Sequence, residues 1–170
     1  MRRAVLALPW LAALVAGGLY ARERTRPAPT PPPIARFALR LTPDVASGAT
    51  GQVIAMSPDG SRIVYVASSG NSSSGQLYMR TLGQIVPVPV PGTVNALSPF
   101  FSANGEYIAF VTGNKLMKVA VAGGPTLHVA DIVGFFAGGS WSAQDSILFG
   151  DERGLSIVPA SGGQIGRAHV

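Results

Sequence analysis

From residue 34 onward the chain alternates short runs rich in Val, Ile, Leu, Tyr and Phe with turns of Gly, Ser, Asn and Pro. Short apolar runs bounded by turn formers predict β-strands. No stretch of 12 or more residues sustains a 3.6-residue apolar period outside the N-terminal segment, so no helix is predicted beyond it. Residues 4–20, AVLALPWLAALVAGGLY, are different: seventeen positions without a charge, just under the usual length of a helix that crosses a hydrocarbon core. Arg2 and Arg3 precede this run, and Arg22, Arg24 and Arg26 follow it. The pattern predicts a retained single membrane span. A cleaved secretory signal is the alternative, with Ala16-Gly17-Gly18 as a weak cleavage site. Residues 25–33, TRPAPTPPP, hold five prolines and predict an extended, semi-rigid spacer.

The apolar runs repeat. Ser57-Pro58-Asp59-Gly60-Ser61-Arg62-Ile63-Val64-Tyr65 returns as Ser102-Ala103-Asn104-Gly105-Glu106-Tyr107-Ile108-Ala109-Phe110, and more loosely as Ser142-Ala143-Gln144-Asp145-Ser146-Ile147-Leu148-Phe149. Leu77, Leu116 and Leu155 mark a second strand, 39 residues apart each time. Two of these second strands run into Gly-Gly turns, Gly123-Gly124 and Gly162-Gly163. About 40 residues holding four short strands is the size of one propeller blade, and a blade buries its faces only by stacking on neighbours.

Asp59 and Asn104 can accept hydrogen bonds from amides two residues on, while Gly60 and Gly105 can take positive φ at no steric cost. Asp145 has no glycine after it, so a different turn or a one-residue deletion is expected there. Asp59 reads as a turn residue rather than a calcium ligand or an acid, having no second carboxylate nearby in sequence. Phe101 and Trp141, with Met56 in the first copy, stand just before the serine, where large side chains pack between blades.

Charge changes the picture only locally. The chain of 170 residues carries a net +5, but residues 1–26 alone account for +4. The remainder is close to neutral and offers no basic groove for nucleic acid. With no cysteine, disulfides, iron-sulfur clusters and thiolate zinc sites are excluded.

Candidate chemistry is sparse. His128 lies on an outer strand, and the only other histidine, His169, sits in the tail, so a histidine metal site is not expected. Ser57, Ser102 and Ser142 lack a recurring general-base partner and read as turn and strand residues rather than nucleophiles. Gly70-Asn71-Ser72-Ser73-Ser74-Gly75 reads as a flexible loop that contains the glycosylation triplet Asn71-Ser72-Ser73. Gly134-Phe135-Phe136-Ala137-Gly138-Gly139 places two aromatics among glycines, suited either to packing between blades or to lining a binding surface.

On the repeated turns, the chain resembles the TolB-like (PD40-type) propeller repeats of bacteria at residues 57–67, 102–111 and 142–149. Gln76-Leu77-Tyr78-Met79-Arg80-Thr81-Leu82, Pro99-Phe100-Phe101-Ser102, Lys115-Leu116-Met117-Lys118-Val119-Ala120-Val121-Ala122-Gly123-Gly124-Pro125 and Pro159-Ala160-Ser161-Gly162-Gly163 carry a closer resemblance. They are similar to the extracytoplasmic C-terminal propeller of bacterial transmembrane serine/threonine kinases. That resemblance implies a sensor or scaffold region joined to a kinase through one membrane helix. The glycine-rich phosphate loop, the His-Arg-Asp stretch and Asp-Phe-Gly of kinases are absent from the sequence, so the chain itself is not expected to be an enzyme.

The expected fold class is therefore all-β: an incomplete propeller of about two to three four-stranded blades after one N-terminal hydrophobic helix. Residues 1–21 are expected to be the anchor or signal, 22–33 the linker, 34–163 the partial propeller and 164–170 a non-native tail, on the reading that the chain is a fragment. Ile34–Leu41 is expected to be a latching strand without a partner. The expected partner is a protein, peptide or cell-envelope ligand, together with the membrane through residues 4–20. No nucleic acid, cofactor, metal or catalytic residue is expected. The expected location is the cytoplasmic membrane, single-pass, with the propeller outside, or a secreted or periplasmic form after signal cleavage. A TolB-like interaction protein without a kinase, and the propeller of a serine peptidase, are the alternatives.

Overall fold

The computed structural model describes residues 51–68 and 75–167. They form twelve strands in three four-stranded sheets. Sheet 1 holds β1 (Ile54–Met56), β2 (Arg62–Ser68), β3 (Gly75–Thr81) and β4 (Val88–Val94). Sheet 2 holds β5 (Ala96–Phe101), β6 (Tyr107–Thr112), β7 (Lys115–Ala120) and β8 (Leu127–Asp131). Sheet 3 holds β9 (Gly138–Trp141), β10 (Ser146–Asp151), β11 (Gly154–Pro159) and β12 (Gly166–Arg167). Within each sheet the strands follow in chain order, and every adjacent pair is antiparallel.

The sheets stack in series because their strands are apolar on both faces. In β6, Ile108 and Phe110 enter a core with Val64, Val66 and Leu77 of sheet 1. The intervening Ala109 and Val111 enter a second core with Trp141, Ile147, Phe149 and Val158 of sheet 3. The two-residue period of a strand sends alternate side chains to opposite faces, so sheet 2 is buried on both sides. A buried Phe or Leu contributes about 1.5–3 kcal/mol. Gly139 is part of the second junction: a Cβ there would lie 2.9 Å from the Phe100 ring and 3.0 Å from that of Phe136. The outer edge of sheet 1 is blunted by Pro89 and Pro91 in β4, residues that deny an incoming strand its amide donors.

Two expectations are corrected. The fold class is all-β with three complete four-stranded antiparallel sheets; these close no ring, and no helix occurs among the described residues. The third sheet is completed by Gly166–Arg167 pairing with Ser156 and Ile157 of β11, a pairing outside the apolar pattern because β12 is only two residues long. The second correction concerns the membrane. No helix among the described residues is long and apolar enough to cross one. The single-pass location, the membrane partner through residues 4–20 and the kinase-associated anchoring drawn from that run are therefore withdrawn. Residues 4–20, the spacer 25–33, the strand Ile34–Leu41 and Asn71-Ser72-Ser73 lie outside the described residues.

Candidate functional site

At one end of the sheets the repeated hairpin turns use their polar groups on themselves. Ser57 Oγ accepts the Arg62 amide at 2.9 Å and donates to Asp59 Oδ1. Asp59 also accepts the Ser61 amide at 3.1 Å and the Ser61 hydroxyl at 2.6 Å. These bonds, from Ser57 first and then Ser61, hold the Asp59 carboxyl well below the usual carboxylate range. The second copy repeats the arrangement, with Ser102 Oγ accepting the Tyr107 amide at 2.9 Å and Asn104 accepting from Ser102 and Glu106. Gly60 and Gly105 sit at φ 70° and 71°, as an aspartate-glycine or asparagine-glycine turn requires. The recurring serines are thus turn residues.

The third copy shows how a missing residue is absorbed. Asp145 itself takes the left-handed position, at φ 57°, and its carboxylate accepts the Trp141 indole N–H at 2.9 Å. Asp tolerates this backbone because its short polar side chain bonds locally. Asp145→Ala is expected to lower stability by about 1–2 kcal/mol, from the left-handed backbone and the lost indole partner together. Asp145→Asn, which keeps both properties, is expected to be near neutral. Thermal unfolding of the two variants checks the contrast.

Clefts open beside these turns. One, of about 500 Å³, lies between sheets 1 and 2 beside Arg62, Met79, Glu106 and Tyr107. Another, of about 400 Å³, lies between sheets 2 and 3 beside Tyr107, Trp141 and Asp145. Tyr107 and Trp141 stack with centroids 6.0 Å apart, and Lys118 Nζ sits 5.0 Å from the Tyr107 centroid. The aromatic faces already hold a cation of the chain itself. Phe101 and Trp141 are buried between sheets as expected, whereas Met56 is exposed.

The opposite end, where β8 connects to β9, carries the more enclosed cleft, of about 430 Å³. Leu97, Val111, Ile132, Phe135 and Phe136 line it, with Ser98 as its polar group. Ser98 is buried at φ 49° within the irregular pairing between Leu97 and Phe100, an unusual backbone for a non-glycine residue. Phe136 packs on the second core, whereas Phe135 is 64% exposed at the rim.

The wall of this cleft is strapped from sheet 3. Asp151, whose side chain is fully buried, accepts the Val133 amide at 3.1 Å, the Arg153 amide at 2.9 Å and Arg153 Nη2 at 2.6 Å. Arg153 Nη2 also donates to the Asp131 carbonyl at 3.1 Å. Arg153, more than the opposing burial, holds the Asp151 carboxyl below its ordinary value. Gly134, at φ 68°, lies so close to Glu152 that a Cβ would overlap that side chain. Nothing in the residue pattern announces this strap, because its partners come from separate connections.

His128 is exposed on β8 and pairs with Asp131 at 3.0 Å. Among the described residues no group of three His, Cys, Asp or Glu gathers to hold a metal.

Serial four-stranded antiparallel sheets with inward aromatic cores define the class of fold. Among solved structures, the chain is similar to TolB of Agrobacterium tumefaciens, at 18% identity and a TM-score of 0.56, covering 66% of this chain and 46% of that one. It is also similar to TolB of Acinetobacter baumannii, at 19% identity and a TM-score of 0.53, covering 71% of this chain and 35% of that one. The likeness is one of TolB-like propeller fold, and the chain spans less than half the length of either protein. No protein-family model matches the chain, and neither does any curated protein.

Proposed function

We propose that this chain is a non-catalytic, exported interaction module of TolB-like fold that binds a protein or peptide segment through the cleft at the β8–β9 end. The observation that carries this reading is Phe135, exposed at the rim of a cleft of about 430 Å³ that combines apolar side chains with polar backbone and the Ser98 hydroxyl. An exposed aromatic beside a cleft that offers both apolar side chains and polar groups is the arrangement of a binding anchor. The hydroxyls of the repeated serines are engaged in turns, which supports binding rather than acyl transfer. The TolB-like fold favours an interaction protein over the sensor of a kinase. The signal-like start, Arg2-Arg3 followed by an apolar run and small residues, supports export.

Peptide display against the purified chain tests the proposal. Selected peptides are expected to carry apolar or aromatic anchors and to lose affinity at least about tenfold against Phe135→Ala. Peptides that bind the variant as tightly as the parent would place recognition elsewhere.

A further inference from the structure

The cleft at the β8–β9 end has a polar floor. Its lining comes from β5, the end of β6, the β8–β9 connection and Gly51, so it lies between elements that pack on one another and not on an outer sheet face. The exposed Gly51, Gly113 and Gly134 stand with Phe135 at its mouth, whereas Val111, Ile132 and Ser98 are buried below them. Ser98 is only 7% exposed, yet its hydroxyl has no hydrogen-bond partner among the described residues. Among those residues every side-chain oxygen or nitrogen fully cut off from solvent has a partner, so the Ser98 oxygen is still reached from the cleft. Gly51 keeps it within reach: a Cβ there would lie 2.6 Å from Ser98 Oγ.

This floor selects what can fill the cleft. A purely apolar side chain would seal the serine hydroxyl away from water without a partner, which costs the full desolvation of that group. A short polar one would leave Leu97, Val111, Ile132 and Phe136 uncovered. A charged one would reach the floor with no counter-ion, since no charged residue lines the cleft. What fits is an apolar body with an uncharged hydrogen-bonding tip, the shape of a phenol. Tryptophan carries its N–H at the side of the ring and not at the tip.

The mouth adds a charge. Glu152 lies against Gly134, where a Cβ would overlap its side chain, one residue before Phe135. Its carboxylate has no ion pair or hydrogen bond among the described residues. A cation arriving beside Phe135 meets both the carboxylate and the aromatic face.

We infer, on the reading that the Phe135 cleft binds a peptide, that its ligand is a segment anchored by tyrosine, with the phenol hydroxyl on Ser98 Oγ and a neighbouring lysine or arginine on Glu152. A random heptapeptide display library selected on the full chain tests this. Enriched peptides are expected to share a tyrosine with a basic residue close to it. In synthetic copies of them, replacing that tyrosine with phenylalanine is expected to weaken binding at least about tenfold, because the site's hydroxyl is then left unpaired. Ser98→Gly removes the hydroxyl and suits the positive φ; against it the two peptides are expected to bind within about twofold of each other. Glu152→Gln is expected to weaken the parent peptide only a few-fold, as an exposed pair does, and to keep the preference for tyrosine. Tyrosine and phenylalanine peptides that bind the parent equally while still losing affinity against Phe135→Ala would overturn the tyrosine anchor and leave the cleft standing. A preference for tyrosine that survives Ser98→Gly would overturn the role of Ser98. A selection that yields no peptide, or only peptides indifferent to Phe135→Ala, would overturn the cleft and its ligand together.

Discussion

Phe110→Ala is expected to destabilise the folded chain by about 3–5 kcal/mol. Phe110 is almost fully buried at the centre of β6, where it packs with Val64, Leu77, Phe101 and Val119 in the junction of sheets 1 and 2. Both walls of that junction are hydrogen-bonded sheets, so neither can move in to fill the cavity without disturbing a ladder. The full cost of a large-to-small change is expected for this reason. Leu155→Ala, on the open face of sheet 3, removes side-chain area that is already in part hydrated and is expected to cost under about 1 kcal/mol. Urea unfolding of the two variants separates them. With a slope of about 1–3 kcal/mol per molar, the Phe110 variant is expected to shift its midpoint by more than a molar unit. A small shift there would mean that sheets 1 and 2 are not packed as described.

Asp151→Asn is expected to remove about 2 kcal/mol of stability at neutral pH, a value discounted from that of a fully buried pair because Arg153 is 37% exposed. The substitution keeps the side chain's shape and one acceptor but loses the charge that Arg153 and two amides address. The folded carboxyl is held below its ordinary value, so folding favours its ionised form. Its contribution is complete above the unfolded value of about 4 and is lost as pH falls through the lower folded value. The stability gap between parent and Asp151→Asn is therefore expected to be widest above pH about 4 and to narrow below it. Urea midpoints at neutral and strongly acidic pH check the sign. A gap that persists unchanged in acid would assign the effect to packing rather than to charge.

The repeat made much of the fold legible. Leu77, Leu116 and Leu155 recur at 39 residues and lie on β3, β7 and β11, because equal spacing in a serial sheet returns the chain to the same place. The turn residues were equally readable: Asp59 and Asn104 bond two residues ahead, and the missing glycine after Asp145 pointed to a different turn or a one-residue deletion, though not to the left-handed position that Asp145 itself takes. Less legible was what depends on separate segments meeting. The Asp151–Arg153 strap needs the β8–β9 connection beside the β10–β11 turn, and no spacing encodes that proximity. Ser98 reads as an ordinary strand residue until the irregular β5–β6 pairing turns its φ positive. Ile85 and Val86 have the composition of a core strand, yet a turn carries them outside. The run at 4–20 was read from hydropathy alone and lies outside the described residues.

The strictly sequential strand order within each sheet also bears on how the molecule forms. Every ladder joins chain neighbours, so each sheet can assemble from its own short segment, the longest running from Ile54 to Val94, without waiting for distant sequence, which keeps the contact order low for an all-β protein. The junctions then add one at a time, sheet 2 onto sheet 1 and sheet 3 onto sheet 2, in the direction in which the ribosome delivers them. A growing chain that has released β1–β8 already owns a buried first junction, with Ala109, Val111 and Leu116 still bare. Those three side chains are the docking platform for the segment that emerges next, and until it arrives they are the surface a chaperone would have to shield.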